Sequence, residues 1–189
     1  MSDEAEVLRQ IEESIEVKRE LKPEVVVEMA KVMVNAFQSG NKVLLFGNGG
    51  SAADAQHIAC ELAGKFYLHR SPLPAIALTT NTSSLTAIAN DYGYEHVFLR
   101  QLRGLMQEGD IVIGISTSGG SPNVIAAIEE AKRGGAITMA FTGQNSKLGE
   151  IADYVLSVPS SNTPRVQEAH ITAGHIICYL VEKELFNDG

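Results

Sequence analysis

Short apolar runs alternate with helical stretches from residue 42 onward, and this alternation constrains the fold more than any other feature of the sequence. The runs are continuous, without strict apolar–polar alternation, which is typical of parallel strands buried on both faces. The predicted strands are 42–46, 75–78, 111–115, 137–141 and 154–158, and the predicted crossover helices are 51–64, 84–107, 122–133 and 145–151. The pattern predicts an α/β fold with a doubly wound, five-stranded parallel sheet and a long C-terminal helix over about 164–186.

Two helices are predicted ahead of the sheet. Val7, Leu8, Ile11 and Ile15 recur at helical spacing, and Pro23 suits the first turn of a second helix that runs to about residue 38. Such a helical pair packs either on a partner chain or on the sheet. We expect a partner helix, hence an oligomer. We treat 1–189 as a single domain, with the helical pair in 1–40 and an α/β core in 41–189.

Composition excludes several classes of protein. The net charge of -8 disfavours a non-specific nucleic-acid binder, which needs a basic face. No apolar run approaches the roughly 20 residues of a membrane span, and the polar, acidic start is unlike a secretory signal. Cys60 and Cys178 form no CxxC pair and are expected to be small core residues of a cytoplasmic protein.

Two loops rich in glycine and hydroxyl groups follow predicted strands one and three. The first reads GNGGS at 47–51, and the second reads STSGGS at 116–121. With strand order 2-1-3-4-5, strands one and three are neighbours at the switch point, so both loops face one crevice. Glycines permit close approach of the backbone, and N–H groups at a helix start attract anions. The two loops therefore indicate a site for a phosphate monoester.

Other interpretations of these loops are open from the residues alone. Gly47, Gly49 and Ala52 also match a dinucleotide fingerprint, but strand two ends in Thr79-Thr80-Asn81, without the acidic residue that holds a ribose. No GxxxxGK[ST] motif is present, which excludes a P-loop. Each loop alone also fits an ordinary tight turn.

Ionisable residues cluster after the first loop and in the last helix. His57 and Glu61 share a helix face at i, i+4, which suits two metal ligands, an acid–base pair or a surface ion pair. Gln167 and His175 are eight positions apart, roughly two turns, so one ligand could reach both. His170 lies on another side of that helix and is expected to be structural or at an interface.

The segment Asn90-Asp91-Tyr92-Gly93 interrupts the predicted helix 84–107 and is by default a turn. The Asp91 carboxylate could also accept hydrogen bonds from sugar hydroxyls.

Four motifs together resemble one family. GNGGSAADAQHIACEL, AIANDYGY, GISTSGGSPNV and RVQEAHITAGH are similar, in the same order, to the sugar isomerase (SIS) domain family, and most closely to its sedoheptulose 7-phosphate isomerase branch. The resemblance covers almost the whole chain. It implies conversion of sedoheptulose 7-phosphate to D-glycero-D-manno-heptose 7-phosphate through an enediol. This is the first step toward ADP- or GDP-heptose precursors of surface polysaccharide such as lipopolysaccharide.

The resemblance also implies roles for individual residues. The phosphate falls to Ser116, Thr117, Ser118 and Ser121; the rest of the substrate falls to Asn48, Gly49, Gly50, Ser51, Glu61, Asn90, Asp91 and Gln167. Glu61 and His175 become the catalytic acid–base pair. One zinc ion per subunit falls to His57, Glu61, Gln167 and His175. A zinc-bound nitrogen of His175 cannot also shuttle a proton, so the role of zinc stays open.

The family assembles as a homotetramer with sites at subunit boundaries. Local departures from the family pattern, at Cys60 and Gly120, touch none of these roles. The alternative is a non-catalytic SIS-domain regulator resembling the DnaA initiator-associating protein. That branch lacks the counterparts of Glu61 and His175, which this chain has, and the enzyme is therefore preferred. A nicotinamide-linked oxidoreductase is a third and less favoured class.

Overall fold

A computed structural model describes residues 2–186 and contains a five-stranded, all-parallel sheet in the order β2-β1-β3-β4-β5. The strands are β1 Val43–Gly47, β2 Ala75–Ala77, β3 Ile111–Ser116, β4 Ile137–Gly143 and β5 Tyr154–Val158. The helices are α1 Asp3–Arg19, α2 Pro23–Gln38, α3 Gly50–Ala63, α4 Thr82–Tyr92, α5 Val97–Leu105, α6 Pro122–Arg133, α7 Lys147–Ile151 and α8 Thr163–Phe186, with a 3-10 turn at Tyr94–His96. The predicted fold class and strand order are confirmed.

The central strands are buried on both faces, as their unbroken apolar runs predict. Every residue of β1 and β3 is buried. Leu45 packs into a cluster shared with α2, α3 and α8, whereas its neighbour Leu44 packs into a second cluster shared with α5 and α6. This arrangement places the carboxyl ends of β1 and β3 side by side, with Gly47 opposite Ile115.

The two N-terminal helices differ in how they are buried. Met29 and Met33 of α2 are fully buried in the core formed with α3 and α8, so the second helix packs on its own chain. This differs from the expectation of a partner helix, because helices of the same chain bury most of the apolar face of α2, although Val27 is 41% exposed. Helix α1 has no buried residue, and Val7, Leu8 and Ile11 are each more than half exposed. A partner for α1 therefore stays a prediction.

Two local predictions are corrected. The helix expected over 84–107 is divided, because Gly93 adopts φ 92° and ends α4, after which the 3-10 turn leads into α5. Cys178 is buried as expected, but Cys60 is exposed, because it faces away from the core side of α3 that Ile58 and Leu62 occupy. Within residues 2–186, no helix combines the length and apolar character that crossing a bilayer requires.

Candidate active site

The β1–α3 and β3–α6 loops are pressed together at the carboxyl edge of the sheet. A Cβ at Gly47 would lie 2.8 Å from the carbonyl oxygen of Ile115 and 2.8 Å from Ser51, so only glycine fits there. Gly49 adopts φ 56° as α3 begins, a conformation that costs a residue with a side chain energy. The glycines therefore let the backbones of the two loops lie against each other, in the crevice where ligands of open α/β sheets bind.

The β3–α6 loop carries several hydroxyl side chains just before α6 begins. The Ser116 and Ser121 hydroxyls are 3.0 Å apart, and Ser121 is the N-cap of α6, with Pro122 in the first turn. Thr117 is half-buried and Ser118 is exposed, so their side chains are accessible. Hydroxyl donors at the N-terminus of a helix suit a phosphate monoester. The structure thus places two of the four residues predicted to hold the phosphate, Ser116 and Ser121, in contact, with Thr117 and Ser118 in the same loop.

Asn48 connects the two loops through a residue that the sequence analysis missed. Its side-chain amide exchanges two hydrogen bonds of 2.9 Å with the amide of buried Asn123 on α6, and the Tyr94 hydroxyl donates to Asn48 Oδ1 at 3.1 Å. These contacts fix the plane of the Asn48 amide and leave one of its Nδ2 protons for a ligand. No periodicity signals such a pair, although Asn123 lies in the GISTSGGSPNV motif.

Gln167 of α8 lies against the first turn of α3. A Cβ on Gly50 would lie 2.8 Å from Gln167 Cδ and would meet its amide nitrogen. Neighbouring Ser51 is buried. The predicted substrate residues Asn48, Gly50 and Gln167 therefore lie close together at the start of α3.

A cluster of two imidazoles and a carboxylate lies further along the same helix pair. His57 Nε2 is 2.9 Å from His175 Nε2 and 3.2 Å from Glu61 Oε1, and one ligand atom from each of the three residues lies within 4.8 Å of the others. The short contact between rings requires one to donate and the other to accept. Gln167 lies two turns before His175, roughly 12 Å along the helix axis by the rise per residue, and its side chain lies beside Gly50.

Aromatic side chains border this cluster. The Phe66 ring lies 5.8 Å from the His175 ring, and Tyr67 and Tyr179 pack edge to face at 5.9 Å. Together with Ile176 they line an open cavity of about 400 Å³ beside His175. The cluster therefore has an accessible side.

Asn90 and Asp91 occupy the last helical turn of α4, where a turn was expected. Among the hydrogen bonds of residues 2–186, these two side chains join only each other, at 2.8 Å. Asp91 lines a groove between α4 and α5 with Tyr92 and Arg100. Tyr94, which follows this segment, donates a hydrogen bond to Asn48. Among the described residues, the side chains of Asn90 and Asp91 make no hydrogen bond to Asn48.

Two further ionisable side chains lie near the site. Burial raises the pKa of Asp54, one turn before His57, to about 6, and His57 offsets part of this effect. His170 is completely buried beside Phe141, and burial lowers its pKa to about 4, with the Thr142 backbone offsetting part of the shift. His170 therefore lies in the core, away from the cavity that His175 lines.

Comparison with known proteins agrees with this geometry. Residues 6–143 match the SIS domain family. The chain is 57% identical over 175 residues to phosphoheptose isomerase of Aquifex aeolicus (90% of this chain, 92% of the relative) and 54% identical over 188 residues to that of a Roseiflexus species (96% and 94%). The solved structure of phosphoheptose isomerase from Neisseria gonorrhoeae matches with a TM-score of 0.91 and 41% identity over 96% of this chain and 100% of that one. The chain therefore belongs to the SIS domain family, among its phosphoheptose isomerases.

Proposed function

We propose that this protein is an aldose–ketose isomerase that converts sedoheptulose 7-phosphate to D-glycero-D-manno-heptose 7-phosphate. One observation carries the proposal: Glu61 and His175, from different helices, place donor atoms within 4.8 Å of each other in a protein whose β3–α6 loop presents paired hydroxyl groups at a helix start. The relatives' names support a phosphoheptose as the substrate. The aldose would then be used to synthesise nucleotide-activated heptoses for surface polysaccharide. The enzyme itself would act in the cytoplasm.

The reaction moves protons without net gain or loss. A base removes the proton from C1 of the ketose, the C2 carbonyl oxygen gains a proton, and a cis-enediol forms. Return of a proton to C2, with loss of the O1 proton, gives the aldose. Glu61 is the carbon base and His175 moves the proton between the oxygens, because both lie within 4.8 Å of one another.

The phosphate loop contributes by orientation. Ser116, Thr117, Ser118 and Ser121 bind the end of the substrate remote from the reacting carbons. Binding energy from that remote group holds C1 and C2 near Glu61, which lowers the entropic part of the barrier.

We also propose one zinc ion per subunit. Two imidazoles and a carboxylate are zinc ligands, and the three side chains already place one donor atom each within 4.8 Å. Gln167 remains a predicted fourth ligand. When bound, zinc would polarise the substrate's oxygens as a Lewis acid, and the His175 nitrogen that binds it would then not move the proton between them.

The proposed assembly is a homotetramer with sites at subunit boundaries. The exposed apolar residues Val7, Leu8 and Ile11 of α1 support a contact between copies. So do Ile176 and Tyr179, which are exposed beside His175.

The test is a coupled assay for the aldose formed from sedoheptulose 7-phosphate. The wild-type protein should turn over, and Glu61→Gln should lose at least about 10³-fold in kcat while still binding the phosphosugar. Glu129→Gln, an exposed carboxylate on α6, is the matched control and should keep full activity. A wild-type protein that binds the phosphosugar without turnover would support the non-catalytic regulator instead.

A further inference from the structure

A buried ion pair joins the segment after α3 to α8, and α3 and α8 are the helices that carry the candidate catalytic side chains. Arg70, in the segment after α3, donates from Nε to Glu182 Oε2 of α8 at 2.8 Å, and both side chains are only 2% exposed. The pair lies outside every motif that identified the family. It therefore needs an explanation of its own.

The Glu182 carboxylate organises the segment after α3. It accepts hydrogen bonds from the backbone N–H groups of Phe66, Tyr67 and Leu68 at 3.0, 2.7 and 2.8 Å. Burial raises the pKa of Glu182, but these three bonds and Arg70 more than offset it and hold the pKa below its ordinary value. The carboxylate therefore stays ionised and holds the aromatic wall in place.

The Arg70 guanidinium caps the end of α3. Its Nη2 donates to the carbonyl oxygen of Glu61 at 2.9 Å, and its Nη1 donates to that of Leu62 at 2.9 Å. These carbonyls belong to the last helical turn, where no further intrahelical donor is available and a cation is favoured. Arg70 thus holds the backbone of Glu61 itself.

The consequence is a fixed distance between Glu61 and His175. Arg70 binds the end of α3, Glu182 lies seven positions after His175 on α8, and Phe66 packs on the His175 ring. A buried ion pair is weak evidence for stability, because apolar replacements are often as stable or more so. Arg70 and Glu182 make eight hydrogen bonds at this junction, which indicates that the pair serves to fix the geometry.

We propose that Arg70 and Glu182 are positioning residues for the isomerase reaction, setting the Glu61 carboxylate against His175. The inference rests on the proposed function for its kinetic consequences. The position of the Glu61 carboxylate can be measured whether or not the protein turns over substrate.

The experiment compares two double variants. Arg70→Met/Glu182→Leu replaces the pair by apolar groups of similar volume. Lys42→Met/Asp110→Leu does the same to the ion pair at the amino edge of the sheet, where Asp110 also accepts from the backbone N–H groups of Lys42 and Gln107. Both doubles are expected to fold. The single variants Arg70→Met and Glu182→Gln show the cost of an unpaired buried charge.

In the Arg70–Glu182 double variant, kcat should fall by at least about 10-fold with KM within about 3-fold of wild type, because the phosphate loop is untouched. The control double should keep both constants. The crystal structure of the Arg70–Glu182 double variant should show the Glu61 carboxylate displaced from the His57–His175 pair. If the Arg70–Glu182 double variant has the kcat and thermal stability of the wild type, the inference is overturned. It is also overturned if Glu61 keeps its wild-type position in the structure of that variant. If the wild-type protein has no isomerase activity, the proposed function fails, and the position of Glu61 alone decides the inference.

Discussion

Asn48 and Asn123 exchange two side-chain hydrogen bonds of 2.9 Å across the junction of the β1–α3 and β3–α6 loops. The pair links the β1–α3 loop to the first turn of α6, which follows the β3–α6 loop. Tyr94 adds a third bond to Asn48 Oδ1, so the orientation of that amide is fully determined.

Asn123→Asp should therefore weaken catalysis without unfolding the protein. A carboxylate still accepts from Asn48 Nδ2 but cannot donate to Asn48 Oδ1. Loss of one such hydrogen bond, about 1 kcal/mol, corresponds to roughly a 5-fold fall in kcat/KM. Steady-state kinetics with the phosphosugar measure this. Asn41→Ala, which removes a 3.2 Å bond to Glu108 at the opposite sheet edge, is the control. Equal effects of the two variants would argue against a role for the pair in the site.

Gly50→Ala should separate function from stability. The new Cβ would meet the end of the flexible Gln167 side chain, which can move aside, so the free energy of unfolding should change by less than about 1 kcal/mol. Displacement of Gln167 should raise KM several-fold. Gly104→Ala on α5, where a Cβ meets nothing within 4 Å, is the matched control. If Gln167 has no contact with substrate, Gly50→Ala and Gly104→Ala should give the same KM.

His170 should make the protein sensitive to acid. Burial lowers its pKa from 6.5 to about 4, and the Thr142 backbone offsets part of this shift. Between these two values the unfolded chain binds a proton that the folded chain does not, so stability falls as the pH falls from 6.5 to 4. The full shift corresponds to about 3 kcal/mol.

Urea unfolding at pH 7, 5.5 and 4 measures this dependence. A His170→Phe variant has no such proton to bind, so its stability should fall less over the same range. Parallel curves for the two proteins would show that His170 does not contribute.

Much of this architecture follows from the sequence, because its signals are local. Continuous apolar runs identified the strands, and the position of GNGGS and STSGGS after β1 and β3 placed both loops at one crevice. The i, i+4 spacing of His57 and Glu61 likewise placed them on one face.

What the sequence could not supply are pairings between distant residues. Asn48 and Asn123 are 75 positions apart, and Arg70 and Glu182 are 112 apart. Neither pair has a periodicity, and each depends on how helices settle on the sheet. Cys60 was misplaced for a related reason, since a small apolar residue between core positions of α3 gives no indication of which side it faces.

The metal set yields a separate prediction. His57→Ala should weaken zinc binding by at least about 10-fold, since it removes one of three clustered donors. Titration of zinc into metal-free protein, followed calorimetrically, measures it. His96→Ala, on the 3-10 turn and outside the cluster, should bind zinc as the wild type does. Identical affinities for the two variants would exclude His57 from the set.

The apolar stripe of α1 gives the last prediction. Leu8 and Ile11 are 67% and 52% exposed, and burial of two such side chains between copies stabilises an assembly by about 1.5–3 kcal/mol each. Leu8→Glu/Ile11→Glu should therefore convert the proposed tetramer to smaller species in sedimentation experiments, while circular dichroism keeps the wild-type spectrum, since no α1 residue is buried among the described residues. Glu12→Lys, an exposed charge on the same helix, is the control and should leave the assembly intact. A double variant that still sediments as the wild type would mean that copies meet elsewhere, for example through Ile176 and Tyr179 beside His175.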